Sequence, residues 1–339
     1  MKFAVGYQLS SEDFSFINTI NPYIDKIAEV YFPWMDSASG RAVLTKRRCY
    51  TNWHAQKILE HDLCELKKQG ILLDILFNAN CYGENALSQQ LANTVHSTLD
   101  YLEDLVGGVD IVTTASPAVA HIIKSRDGKP IRVRASVNMR IGTIKGMQYV
   151  SHLFDEFYIQ REYNRDLDMI SKLINWADSN GKKLYMLANS GCLNFCSGQS
   201  FHDNLVAHEE QIDEKSNIFG FEAHMCWNYL SNKENWASLL QNSWIRPEDL
   251  HNYEQWFDVV KLATRMHDSM YRVLDAYCSG KYYGNLLTLL EPGYARVIYP
   301  KYMDNTKFPS DWFKKTASCS KSCHECSYYN EVLEKVLVD

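Results

Sequence analysis

The chain has 339 residues, 46% hydrophobic and 22% charged, with a formal net charge of -6. That length holds one large domain or two ordinary ones and buries a sizeable core, while the acidic balance disfavours a surface built to grip nucleic acid, because that grip comes mostly from Lys and Arg. No apolar run is long enough to span a bilayer, and the opening residues lack an extended apolar stretch with a small-residue cleavage site, so a cytoplasmic protein without membrane contact is expected.

Short strand-like runs alternate with helical stretches. Residues 2–9 predict a first strand. Residues 10–26 predict a helix, with Ser11 as N-cap and Glu12 and Asp13 in its first turn. A strand at 28–34 leads through a loop to a helix at 52–69. Strands at 72–79, 109–115, 131–137 and 156–163 then alternate with helices at 85–105, 117–125, 143–153 and 165–179. A seventh strand, 184–188, ends in Asn189-Ser190-Gly191. An eighth, 258–264, precedes a helix at 267–277. Eight such repeats indicate a (β/α)8, TIM-like barrel over residues 1–284. A doubly wound sheet is the rival, but no G-x-G-x-x-G follows the first strand. The long insertion after strand seven, about 190–257, reads as functional. Residues 285–339 form a cysteine-rich C-terminal extension that ends in a helix at 328–338.

In such barrels the site lies at the C-terminal ends of the strands. Those ends carry Gln8, Asn78, Asn80, Ser136, Asn138, Arg140, Gln160, Arg161, Glu162, Asn189, Lys261 and Arg265. Each alone reads as a satisfied structural hydrogen bond; their recurrence at one end points to a pocket. Arg140 and Arg161 suit a bidentate grip on a carboxylate. His202 titrates near neutrality and is a candidate for proton transfer, with a plain helix-surface histidine as the alternative.

The sequence has ten cysteines. In a cytosolic protein they read as metal ligands or core residues rather than disulfides. Cys64 and Cys278 sit in helical stretches and read as small core hydrophobes. Cys49 follows two arginines, which favours its thiolate. Cys192 and Cys196 form C-x3-C directly after strand seven, and Cys226 follows in the same insertion. Cys319, Cys323 and Cys326 form C-x3-C-x2-C in the tail. Four thiolates suit an iron–sulfur cluster: three from the insertion and a fourth from the tail or Cys49. The tail triplet itself suits a second cluster or, with His324, half of a zinc site.

Several segments resemble the collagenase-like peptidase family U32 over roughly residues 70–280. GVDIVTTASPAVAHIIKS resembles its fourth strand and helix, and RVRASVNMRIG its fifth strand, with Ser136 and Asn138. FYIQREYNRD carries Arg161 and Glu162 of its "LSREL" segment. LANSGCLNFCSGQS resembles its cysteine signature. WIRPEDLHNYEQWFDVVKLATR supplies Asp249, Leu250, Lys261 and Arg265 of "KDL … KIEGR". The chain departs at Ala263 and Thr264 and in its C-x3-C spacing, which looks more like the member that acts in oxygen-independent ubiquinone hydroxylation. The resemblance implies a barrel with a [4Fe-4S] cluster that hydroxylates without oxygen. Here Cys192, Cys196 and Cys226 would be ligands with one further cysteine. Arg140 and Arg265 would bind substrate beside Asn78 and Asn138, and Arg161, Glu162 and His202 would act in catalysis. A small molecule or peptide is the expected substrate. A related barrel protein is the expected partner if the chain is a non-catalytic, cluster-bearing subunit. Peptide or zinc-dependent hydrolysis is the rival activity, but no Ser-His-Asp or H-E-x-x-H arrangement is visible.

Overall fold

The structure is a computed structural model that describes residues 1–35, 52–319 and 321–339. Among these residues eight parallel strands close into a barrel in chain order. They are β1 (Lys2–Gly6), β2 (Ile27–Pro33), β3 (Leu72–Phe77), β4 (Ile111–Thr114), β5 (Arg132–Ala135), β6 (Glu156–Tyr158), β7 (Lys183–Leu187) and β8 (Val259–Leu262). β8 returns to β1, with Phe3 opposite Val260. The expected (β/α)8 barrel is the observed one. Residues 36–51, with Cys49, lie outside the described residues.

Helices α1 (Phe16–Ile20), α2 (Trp53–Lys68), α3 (Gln89–Val106), α4 (Pro117–Lys124), α5 (Ile144–Val150) and α6 (Leu167–Ser179) follow β1 to β6 in turn. Between β7 and β8 the chain forms α7 (Gln199–Ala207), α8 (Glu209–Asp213) and α9 (Met225–Leu230), and α10 (Met270–Ser279) follows β8. The helices start where the sequence offers a cap: Ser88 accepts from Leu91 N, and Asp166 from Met169 N. Among the described residues no helix is long and apolar enough to cross a membrane.

Several expected elements are shorter, two of them near the site or the N-terminus. The helix expected from residue 10 begins at Phe16, capped by Ser15 rather than Ser11, and passes at Pro22 into a 3-10 turn, Asn21–Lys26. The reason is local: Ser10 Oγ donates to Asp62 and accepts from Phe16 N, which holds the chain out of helix. Strand six ends at Tyr158, and a 3-10 turn, Arg161–Tyr163, carries Arg161 and Glu162 at the rim.

Strand side chains alternate in direction. Val30, Leu73, Val133 and Met186 face the helices and share one large core with them. The opposite faces point into the barrel, where Tyr31, Leu76, Tyr158 and Leu187 form two small apolar groups. Residues 285–339 add α11 (Ala295–Ile298), β9 (Tyr302–Met303), α12 (Trp312–Ala317), α13 (Tyr328–Val336) and β10 (Leu337–Val338). The helix expected to run to residue 338 stops at Val336 because its last residues pair with β9. Leu286, Tyr294, Trp312 and Val336 of this segment pack into the same large core as the barrel helices.

Candidate active site

The barrel interior carries charge where an apolar filling is common. Arg134 on β5 is fully buried. It donates to Glu156 at 2.7 Å and to both oxygens of Glu29, and lies 3.6 Å from Asp74. Its guanidinium stacks 3.8 Å from the centre of the Tyr185 ring. Arg132 adds a second cation on Glu156 at 2.7 Å. Burial alone would lower the Arg134 pKa, but the charges of Glu29 and its neighbours hold it well above the ordinary value. Burial pushes the Asp74 carboxyl up to about 6, against the pull of Arg134. One Asp74 oxygen accepts from Thr113, and the other has no hydrogen-bond partner.

Above this floor lies the mouth pocket, with about 90 Å³ of space. Its walls come from the C-terminal ends of the strands: Asn78 after β3, Asn138 after β5, Arg161 after β6, Ser190 after β7, and Lys261, Arg265 and Met266 from β8 onward. Three cations and one carboxylate, Glu291, line it. Lys261 is buried, with its ammonium 3.8 Å from the centre of the Tyr31 ring and 4.9 Å from that of Tyr158. Burial brings its pKa down to about 8, against the pull of Asp74. The buried Asn78 oxygen has no hydrogen-bond partner, which suits it to accept from a ligand.

Of the strand-seven thiols, Cys192 stands beside the Arg161 wall of this pocket. Arg161 donates to Ser190 at 3.2 Å and interacts with the Cys192 thiol. Burial works to lower the Arg161 pKa, but the charges of Cys192, Glu162 and Asp203 raise it. Cys192 and Cys196 lie close enough to Cys226 for their charge to add to the effect of burial in raising its thiol pKa. Tyr294 from the extension sits among all three and interacts most directly with Cys226. Cys196 and Cys226 also line a cavity of about 500 Å³ on the outer side of the loop.

Backbone clamps fix the loop. Asn189 donates to the carbonyls of Ala263 and Leu289 and accepts from Ala263 N. Gly191 N donates to Glu291 O at 3.0 Å. A Cβ on Gly191 would collide with the Pro292 carbonyl, so only glycine lets the extension pass this close. Gln8 likewise donates to the Thr264 and His267 carbonyls. Asn189 and Gln8, two of the polar strand ends, are therefore structural.

Comparison with known proteins agrees with this architecture. A protein described as an uncharacterized protease from Methanocaldococcus jannaschii is 25% identical over 277 residues, 80% of this chain and 79% of that one. The solved structure of the U32 peptidase Mk0906 superposes with a TM-score of 0.51 at 17% identity, covering 78% of this chain and 92% of that one. No family model matches the chain. The chain resembles a U32 peptidase in fold along most of its length.

The structure brings Asn78, Asn138, Arg161 and Arg265 together in the mouth pocket. Arg140 and Glu162 stand outside its walls. Arg140, with φ of 53°, lies 3.8 Å from Glu162, and Glu162 faces a separate cavity toward the tail. His202 on α7 packs edge-on against His224, ring centres 4.8 Å apart, and is not among the pocket walls. Cys319, Cys323 and Cys326 form a group of their own, described below. As they stand, no three His, Cys, Asp or Glu side chains among the described residues are arranged to hold a single metal ion. Cys64 and Cys278 are half-buried, and burial raises the Cys278 thiol to about 11, as suits core cysteines. Sequence reasoning missed Ser190, Tyr31 and Glu291 as pocket residues; Glu291 arrives from the extension, about a hundred residues after β7.

Proposed function

We propose that this chain is an iron–sulfur-dependent enzyme that modifies a small anionic molecule, or an anionic group on a peptide, by oxygen-independent hydroxylation, in which a second, hydroxyl-bearing co-substrate gives up the oxygen atom and is reduced by the two electrons that the substrate loses. Hydroxylation is what the family resemblance implies, and one observation supports its siting here: the same Arg161 guanidinium lies beside the Cys192 thiol and lines the cationic pocket. Cys192 thus stands one side chain away from where an anion would bind, with Cys196 and Cys226 close to it.

The donor set fits a cluster. It is thiolate-rich, a chemistry that clusters and zinc sites share. In a cluster each iron takes its own cysteine, so ligands can stand apart. When bound, the cluster would supply electron transfer beside the pocket. The protein's own groups do the rest. Arg161 and Arg265 hold the anionic part of the substrate by charge-assisted hydrogen bonds. Asn78 accepts a hydrogen bond through its unpartnered oxygen. Lys261, with a pKa near 8, holds or releases a proton at Nζ close to neutral pH. We assign proton transfer to Lys261 in preference to His202, because Lys261 is in the pocket wall. Tyr31 and Tyr158 flank that ammonium and keep water from it.

The protease name of the one relative and the peptidase name of the other favour peptide hydrolysis instead. Assaying a peptide library with anaerobically purified and with chelator-stripped protein separates the two. Neither form should cleave. Cleavage by stripped protein, abolished in Cys192→Ala, would replace the proposal with a cysteine-peptidase reading.

A further inference from the structure

The tail thiols lie apart from the mouth pocket. Cys319, Cys323 and Cys326 follow α12 on one short stretch, close enough for charge on Cys319 or Cys326 to act on Cys323. Cys319 and Cys323 line a cavity of about 210 Å³ together with Glu162, Arg165 and Tyr329. Asn194 and Phe195 line this cavity and also the one beside Cys196 and Cys226. The loop after β7 therefore has a thiol group on each of its two sides.

Arg165 is an independent observation at the same place. Its side chain is only 7% exposed. It stacks 4.4 Å from the ring centre of Trp244 and 5.0 Å from that of Trp312, and donates to the carbonyls of Trp244 and Leu240. Among the described residues no carboxylate lies at ion-pair distance from it; Asp249 acts on it from farther off, and Glu162, 3.8 Å from Arg140, is the one carboxylate on the cavity wall. A buried cation without a close anion is costly, so the cavity it opens onto suits further negative charge. The Tyr329 hydroxyl interacts with both the Arg165 guanidinium and the Cys319 thiol. Lys321, the other cation of this cavity, is already paired with Asp166 at 3.0 Å.

We propose that Cys319, Cys323 and Cys326 form a second thiolate metal centre, separate from the strand-seven thiols, whose negative charge is matched by buried Arg165. The ligand is a thiophilic metal; an iron–sulfur cluster and a zinc ion share that chemistry. The proposal goes beyond the proposed function and does not depend on it. Cys319 and Cys326 are exposed, so rotation of their side chains is open to them. Metal binding supplies the free energy that gathers the three thiols.

The test is alkylation of the full chain with iodoacetamide, read at each cysteine by peptide mass spectrometry. It is run anaerobically on chelator-stripped protein, on protein supplied with ferrous iron and sulfide, and on protein supplied with zinc. Cys319 and Cys326 should react fast when stripped and be protected when loaded. Protection by iron with sulfide identifies a cluster, and protection by zinc alone a single-ion site; either supports the proposal. Reaction at the stripped rate under both loadings overturns it. Cys192→Ala should keep the tail protection, so failure of the strand-seven reading leaves this result distinct. Cys323→Ser should lose the protection at Cys319 and Cys326, with the thermal midpoint of the stripped protein little changed. Full protection in that variant would also overturn a three-thiol site.

Discussion

The floor and the mouth of this barrel are both rich in charge, but they are balanced differently. On the floor two arginines, Arg132 and Arg134, meet three carboxylates, Glu29, Asp74 and Glu156, at ion-pair distance. At the mouth three cations, Arg161, Lys261 and Arg265, share the pocket with one carboxylate, Glu291. The floor charges are nearly all taken up by one another, and Asp74, the carboxylate in excess, is pushed toward its neutral form by burial, so the net serves the fold rather than a ligand. A pocket with excess charge of one sign attracts its opposite. The difference separates the part of the interior that builds the barrel from the part that would bind.

The sharpest way to break the comparison is to unbalance the floor. Arg134→Met strips the shared partner from Glu29, Glu156 and Asp74 and leaves buried carboxylates uncompensated. The loss should be about 3–5 kcal/mol in urea unfolding. A loss near zero would mean that the floor charges are not mutually dependent.

Two pH profiles come next, with opposite signs. Asp74 is raised in the folded state, from 3.8 to about 6. The folded protein then holds a proton that the unfolded chain has released, so stability falls as pH rises through about 4 to 6. Asp74→Asn should flatten that fall, an effect on the order of 3 kcal/mol. Lys261 is lowered, from 10.5 to about 8. The unfolded chain binds the extra proton between those values, so stability rises with pH across that window. Lys261→Met should remove the rise, again on the order of 3 kcal/mol. Urea midpoints measured from pH 4 to 10 on the parent and both variants check each slope.

The smallest effect belongs to neither region. Asp168 and Lys172 pair across one turn of α6 at 2.5 Å, both well exposed. Asp168→Ala should shift stability by less than about 0.5 kcal/mol. A larger shift would weaken the contrast between enclosed and solvated charge.

Much of the barrel was legible because its signals are local. Each strand is a short apolar run, and capping residues such as Ser88 and Asp166 mark the helix starts. The rim was legible in part for the same reason: Asn78, Asn138, Arg161 and Arg265 come directly after strands and do meet in one pocket. What was not legible is non-local. Glu29, Asp74, Arg134 and Glu156 are single charges in separate strands, and nothing short of closing the barrel shows that they converge. Glu291 and Tyr294 reach the site from the extension by way of Asn189 and Gly191. The helix expected at 10–26 failed because a contact between Ser10 and Asp62, distant in sequence, overrode local propensity. Arg161 and Glu162 are neighbours in sequence, yet the 3-10 turn they share sends them to different walls, and Arg140 follows a separate 3-10 turn, Val137–Met139.

The central claim is that the strand-seven thiols hold a cluster beside the cationic pocket. The direct measurement is the iron and acid-labile sulfide content of anaerobically purified parent protein against Cys192→Ala, with the tail cysteines intact in both. The account expects the variant to carry about four irons and four sulfides fewer per chain. Equal content in the two proteins, or zinc in place of iron in the parent, would contradict it.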